Sequence, residues 1–206
     1  MADRRRAQPG PDTETTVRSE DWDGRDIAGE VHERVEFVDL DMTELVTNGA
    51  TFSDCSFRGV RFNASEHTNT AFTNCAFSRC SFFDATFTGC KLVGSTFDAC
   101  TYGLLEVAGG DWSFVALPRA DLNGATFTDV RMREAELTGV RLGDATVRGV
   151  DLSGAALDHA DLTGCDLRGS DLSALNPLTA ELRGAVVDPV QAVMIATALG
   201  LDVRSG

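Results

Sequence analysis

The side chains in this sequence that could do chemistry are six cysteines, three histidines and 32 acidic residues. Such groups can act as nucleophiles, metal ligands, disulfides or acid and base catalysts. The sequence contains no CxxC pair, no HExxH, no glycine-rich phosphate loop and no nucleophile elbow. We therefore predict no catalytic site, no metal site and no cofactor, and we expect a protein that is not an enzyme.

The cysteines share one register, because every one of them carries a number divisible by five: Cys55, Cys75, Cys80, Cys90, Cys100 and Cys165. A regular position of this kind indicates small core residues rather than a disulfide set. The histidines, His32, His67 and His159, are scattered. His67 lies in a column of apolar residues, where we expect it to mark a local irregularity rather than a ligand.

A large apolar residue recurs at numbers ending in 2 or 7 from Trp22 to Val187. Only His32, Thr47, His67 and Pro177 break this column. A small residue, mostly Ala, Cys, Ser, Thr or Val, lies two places before each member from Ala50 onward. The period is therefore five, which fits neither the period of 3.6 of a helix nor the period of 2 of a strand.

A period of five predicts a chain that turns a corner every five residues, so that four sides close a square coil of twenty. One coil cannot bury its own apolar face, so coils must stack at the strand spacing of ~4.8 Å. We predict an all-β solenoid of about eight coils over residues 21–187, after a disordered tail at residues 1–20.

Residues 188–206 predict a C-terminal helix, with Asp188 as its N-cap, Pro189 as its first residue and Gly200 as its stop. The helix is apolar nearly all round, so one side should cap the last coil and another should meet a second copy of the chain. The alternative is a helix that folds only onto the last coil. The predicted capping and dimerisation residues are Val190, Val193, Met194, Ile195 and Leu199.

The net charge of −14 and the pI near 4.5 exclude nucleic acid and anionic membranes as natural partners and favour basic protein surfaces. The alternative is that the acidity serves solubility. With no signal peptide and no apolar run of membrane length, we expect a soluble cytoplasmic protein. We expect the acidic surface of the folded rod in the C-terminal half. The predicted partner-binding acids, each one place before the apolar column, are Glu106, Asp111, Asp121, Glu136, Asp151, Asp161, Asp166, Asp171 and Glu181.

Four runs carry a resemblance to a known family: A-D-L-N-G, V-D-L-S-G, A-D-L-T-G and S-D-L-S-A, which begin at residues 120, 150, 160 and 170. They resemble the repeats of pentapeptide-repeat proteins, which implies a right-handed quadrilateral β-helix. Residues 65–77 and 187–193 are similar to the MfpA branch of the MfpA/Qnr group. That resemblance implies a dimeric DNA mimic that binds DNA gyrase, at the DNA-binding saddle of its A subunit, and protects it from fluoroquinolones or other gyrase poisons.

The magnitude of the charge is compatible with mimicry. Eight coils give a rod of roughly 38 Å, with about one net charge per 2.7 Å, against about one per 1.7 Å in B-DNA. The acidic side chains would then stand in for phosphates. The alternative is a generic structural or protein-interaction β-helix whose partner is not gyrase.

Overall fold

The computed structural model describes residues 10–204 of the chain. Over this range the backbone forms a parallel β-solenoid followed by one helix. The strands, each of three or four residues, are β1 Thr15–Arg18, β2 Asp26–Ala28, β3 Val31–Glu33, β4 Val35–Val38, β5 Val46–Asn48, β6 Thr51–Ser53, β7 Ser56–Arg58, β8 Glu66–Thr68, β9 Ala71–Thr73, β10 Ala76–Ser78, β11 Thr86–Thr88, β12 Thr96–Asp98, β13 Glu106–Ala108, β14 Thr126–Thr128 and β15 Thr146–Arg148.

The coil has four sides, and each strand pairs with the strand one coil away. Three sides are sheets with the orders β1-β4-β7-β10-β12, β2-β5-β8-β11-β13-β14-β15 and β3-β6-β9. The fourth side consists of single bridges, such as Asp21 with Asp41 and Asp161 with Glu181. In every parallel pair the partners are twenty residues apart, as in Phe37 with Phe57. This offset confirms the predicted period of five and the square coil.

The apolar column and the small column both point inward, as predicted. Ile27, Phe37, Phe57 and Leu92 are fully buried, and the members of the small column from Leu40 to Leu175 are mostly buried as well. The corners between sides require a left-handed residue, often glycine or aspartate. Gly110 is required sterically as well, because a Cβ at this position would lie 2.1 Å from the carbonyl oxygen of Cys90.

The solenoid begins earlier than the sequence indicated. β1 pairs in parallel with β4, so residues 15–18 are ordered although we predicted a disordered tail over residues 1–20. The reason is that Thr15, Thr16 and Val17 favour extended structure and Val17 continues the inward column, packing against the core. Residues 1–9 of the predicted tail and residues 205 and 206 of the predicted C-terminal segment lie outside the described residues.

The single helix, α1, spans Pro189–Ala198 and matches the predicted helix to within one residue at each end. Asp188 is its N-cap, and its side chain accepts hydrogen bonds from the backbone N–H groups of Val190 and Gln191. Among the described residues no helix has the length and apolarity that a membrane crossing would need.

Candidate protein-binding surface: the acidic rows

The nine predicted acids point outward and stand in rows on all four sides of the solenoid. Asp111, Asp151 and Asp171 belong to one side, and Asp121, Asp161 and Glu181 to the opposite side. Glu106 and Asp166 share a third side, and Glu136 lies on the fourth. The structure therefore brings these residues together as separate rows and not as a single acidic face.

Most of the aspartates in these rows have a structural role at a corner. The carboxylate of Asp151 accepts hydrogen bonds from the backbone N–H and the hydroxyl of Ser153, at 3.1 and 2.6 Å. The carboxylate also accepts a hydrogen bond from the backbone N–H two residues further along the chain in Asp111, Asp121, Asp161, Asp166 and Asp171. These Asx turns fix the chain direction after each core residue. Because hydrogen bonds favour the charged carboxylate, the Thr163 hydroxyl lowers the pKa of Asp161.

Arginines neutralise four of the nine acids. Arg131 reaches Asp111 at 2.9 Å and Arg133 reaches Asp151 at 2.5 Å. Arg141 pairs with Asp121, on the neighbouring coil. Arg168 approaches Asp166 at 2.7 Å, and this guanidinium lowers the pKa of Asp166 to about 2. Pairs this exposed contribute little to stability, but they remove local negative charge that a basic partner would recognise.

The remaining five acids have no arginine, lysine or histidine within ion-pair distance in the described part of the chain: Glu106, Glu136, Asp161, Asp171 and Glu181. Three of these, Asp161, Asp171 and Glu181, belong to the last coils before α1. The last two are exposed and Asp161 is half-buried. We call these three residues the terminal acids. They form the part of the predicted surface that keeps its charge.

The first coil carries a second acidic region, which the sequence reading missed. Residues 20–44 contain ten acidic residues and two arginines, and they are folded into the solenoid. Glu20, Asp21, Asp23 and Asp26 are all exposed. The expectation that the acidity of the rod is concentrated in the C-terminal half is therefore wrong. The dense run of acids is visible in the sequence, and nine of its ten members lie after the predicted tail.

The apolar residues of α1 divide between the core and the surface. Ile195 is partly buried and packs against the solenoid core. Val190 is 72% exposed and Val193 46%. Met194 and Leu199 are also exposed, as are Leu201 and Val203 in the segment after the helix. The helix therefore covers the last coil with one side and leaves an apolar side open.

A polar residue, Gln191, makes the closest contact between α1 and the solenoid. Its side-chain amide donates to the carbonyl oxygens of Leu167 and Ser170, at 2.7 and 2.8 Å. Its amide oxygen accepts from the N–H of Asp188 at 2.8 Å, completing a capping box. Gln191 satisfies carbonyl groups that the last coil would otherwise leave unpaired. The sequence signal was the spacing of Asp188 and Gln191, which is that of a capping box.

Comparisons with known proteins agree with this architecture. A family model of pentapeptide repeats matches residues 113–144 and 135–173, in eight copies. Residues 113–173 of the chain are therefore similar to pentapeptide repeats. A model of the SV2A/B/C luminal domain matches residues 25–102. No curated protein sequence matches the chain.

One solved structure shares the fold of this chain. A trypsin-treated variant of QnrB1, a plasmid-mediated fluoroquinolone resistance protein, is 20% identical with a TM-score of 0.63. The match covers 93% of this chain and 100% of QnrB1. HetL, involved in heterocyst differentiation regulation in the cyanobacterium Nostoc sp. strain PCC 7120, is 17% identical with a TM-score of 0.45, covering 82% of this chain and 87% of HetL.

The cysteines and His67 lie in the core of the solenoid. All six cysteines are free thiols, and five are buried in the small column. His67 does not distort the coil, because its ring stacks on Phe87 as a phenylalanine would and its two nitrogens have polar partners. Its Nδ1 lies 2.8 Å from the Thr47 hydroxyl and its Nε2 lies 3.0 Å from the Ser65 hydroxyl. The predicted local irregularity at His67 is therefore wrong, since β8 pairs with both neighbouring strands in register.

Proposed function

We propose that this protein binds DNA gyrase by presenting a negatively charged rod to the DNA-binding saddle of the gyrase A subunit. In doing so it protects the enzyme from fluoroquinolones or other gyrase poisons, or modulates its response to them. The protein acts as a binding module and not as an enzyme. The observation that carries the proposal is the exposed, unpaired acidic surface at both ends of a regular solenoid.

Charge density supports this proposal. Coils stack at about 4.8 Å, so a chain with a net charge of −14 presents charge at the same order of density as duplex DNA. A rigid β-solenoid also holds these charges in fixed positions before it binds. A flexible acidic segment would lose more side-chain and backbone freedom on binding. The resemblance to the MfpA branch and the shared fold with QnrB1, a plasmid-mediated fluoroquinolone resistance protein, agree with this partner.

The open apolar side of α1 supports a homodimer joined at the C-termini. Burying Val190, Val193 and Met194 against a second copy would remove apolar surface from water. This arrangement would place the terminal acids of both copies on either side of the dimer centre. The dimer would then be a longer rod whose middle is negatively charged.

Neutralising the terminal acids tests the mimicry directly. The variant is D161N/D171N/E181Q. Asparagine keeps the side-chain oxygen that accepts the corner hydrogen bond, so the fold is retained. The matched control is D21N/D23N/D26N, which removes the same charge from the first coil. We expect weaker binding to purified gyrase and a shallower salt dependence for the first variant, because fewer charges are matched across the interface.

The control variant should bind more tightly than the terminal-acid variant if the dimer centre is what gyrase contacts. Equal affinity and equal salt dependence of wild type and D161N/D171N/E181Q would contradict the mimicry.

A second candidate is a β-helix that binds a basic protein other than gyrase. Two observations favour it: arginines neutralise Asp111, Asp121, Asp151 and Asp166, and the nine predicted acids are spread over four sides. Under this alternative, gyrase supercoiling activity is unchanged by a large excess of the protein. Affinity capture would then recover another basic partner, and its recovery would depend on the terminal acids.

A further inference from the structure

One side of the solenoid is interrupted in the middle of the rod. On the side made of single bridges, Thr101 pairs with Ser81, but the next bridge runs from Asp121 to Arg141. Among the described residues, no backbone hydrogen bond joins residues 99–104 to residues 119–124. The neighbouring side is continuous at the same level, where Glu106 pairs with Thr126. We call this local gap between two coils the seam.

The core is partly open at the seam. Cys100 and Ala120 belong to the small inward column, and both are partly exposed, whereas their neighbours Ser95 and Ala125 are fully buried. The seam therefore exposes polar backbone groups and part of the apolar interior together.

Two large apolar side chains lie at the corner beside the seam. Phe83 is 53% exposed and Leu104 is 59% exposed, on adjacent coils. Gly103 makes room for the ring of Phe83, since a Cβ on Gly103 would lie 3.0 Å from the Phe83 Cδ2. Single exposed apolar residues are common on protein surfaces, but this pair lies next to a gap that exposes part of the core.

Leu104 also adopts an unfavourable backbone conformation. Its φ is 58°, in the left-handed region where this chain often has glycine, aspartate or asparagine. An L-residue with a Cβ is disfavoured there by roughly 1 kcal/mol. Leu104 is thus neither buried nor favoured by its conformation, so folding stability does not explain the choice of leucine. Phe114 shares this conformation, so what distinguishes Leu104 is its position at the seam.

The charges around this corner indicate the chemistry of the partner. Asp84 stacks beside Leu104 on the preceding coil, and Glu106 follows Leu104 by two residues. Neither has an ion-pair partner in the described range. Arg79 and Arg119 lie at the corner at the other end of the seam's side. An apolar surface bordered by carboxylates is complementary to an apolar side chain carried on a basic surface.

We propose that Phe83, Leu104 and the seam form a docking site for an apolar side chain that projects from the basic surface of the protein partner. The site would supply an apolar contact that duplex DNA does not offer. The solenoid would then bind its partner through apolar contacts as well as through charge. This inference rests on the proposed function, in which that partner is DNA gyrase. It adds a contact whose strength does not depend on salt.

The test uses the double variant F83S/L104N in the full chain, with F114N as the matched control. Phe114 is also exposed, by 54%, and also left-handed, with a φ of 60°. It lies half a coil away, at the opposite corner, where the ladder is continuous because the Phe114 N–H donates to the Arg133 carbonyl at 2.9 Å. Asparagine tolerates the left-handed region, so neither L104N nor F114N should lower the melting temperature.

Binding to purified, assembled gyrase is measured at several salt concentrations. We expect F83S/L104N to bind about tenfold more weakly or worse, with the same salt dependence as wild type, and F114N to bind within about twofold of wild type. The inference is overturned if F83S/L104N binds as tightly as wild type, or if F114N loses as much affinity. If wild type itself does not bind gyrase, the proposed function fails first and this inference fails with it.

Discussion

The two halves of the solenoid share one backbone and differ in what fills it. From Phe37 to Phe97, rings on successive coils stack at 4.9, 4.8 and 4.6 Å, with interplanar angles of 9°, 6° and 8°. From Leu117 to Leu172 the column is mostly leucine, and a narrow apolar cavity of about 20 Å³ runs among these side chains. We call these the phenylalanine half and the leucine half.

The type of side chain that fills the core does not determine the register of strand pairing. Partners are twenty residues apart in both halves, as in Phe57 with Phe77 and Phe127 with Val147. Flat rings match the spacing of the coils and border a cavity of about 10 Å³ at the end of their half, whereas the branched leucines leave about twice that space along the axis. The two halves should therefore differ in stability more than in shape. Function then depends on the side chains that point outward.

The largest expected effect is the loss of a stacked ring. Phe57→Ala should lower the free energy of unfolding by about 4 kcal/mol, because a fully buried ring is lost from a stack between Phe37 and Phe77. Leu152→Ala should cost about 2 to 3 kcal/mol, since this side chain borders the existing cavity and has fewer contacts to lose. Urea denaturation measures both. Equal losses would remove the distinction between the halves.

The next effect concerns pH and belongs to the phenylalanine half. Complete burial lowers the pKa of His67 to about 3, below its usual 6.5. As pH falls below 6.5, the unfolded chain takes up a proton that the folded chain does not, so stability decreases until the pH approaches 3. We expect a loss of about 2 to 3 kcal/mol between pH 7 and pH 4.5.

His67→Phe tests the origin of this pH dependence. The variant leaves the hydroxyls of Thr47 and Ser65 without their imidazole partner, so it lowers stability at every pH. The slope between pH 7 and pH 4.5 should nevertheless become nearly flat. A slope as steep as that of wild type would show that other groups cause it.

A smaller effect is expected at the end of the leucine half. Gln191→Ala should cost about 1 to 2 kcal/mol, because the carbonyls of Leu167 and Ser170 lose their donor. Thr197→Ala removes an exposed side chain from the same helix and serves as the control, with little expected change. Thermal unfolding followed by circular dichroism distinguishes the two. If both variants behave alike, Gln191 is not the cap.

The smallest effect is expected at the surface. Arg141→Ala breaks an exposed pair with Asp121 and should change the free energy of unfolding by about 0.5 kcal/mol or less. The same variant makes the solenoid more negative, so the proposed mimicry predicts tighter binding to gyrase at low salt. Weaker binding would indicate that Arg141 contacts the partner directly.

Much of the fold was predictable because the repeat is regular. Trp22, Phe57 and Leu152 all carry numbers ending in 2 or 7, and one rule places them all inside. The start of the solenoid was not predictable in the same way, because Val17 is isolated among polar residues and becomes part of the column only when β4 pairs with β1.

The candidate surface was less predictable for a physical reason. The rows of acids follow from the repeat, but their neutralisation depends on long arginines that reach neighbouring coils, as Arg133 reaches Asp151. The seam was equally hidden. The missing backbone pairing between residues 99–104 and 119–124 is a tertiary feature, and the period of five continues through these residues without a break.

The most direct test of gyrase as the partner is a supercoiling assay with purified DNA gyrase, titrated with this protein in the presence and absence of ciprofloxacin. We expect inhibition of supercoiling, or rescue from drug-induced DNA cleavage, at micromolar concentrations or below. No effect at high excess, with gyrase from the same organism, would contradict gyrase as the partner and favour another basic protein.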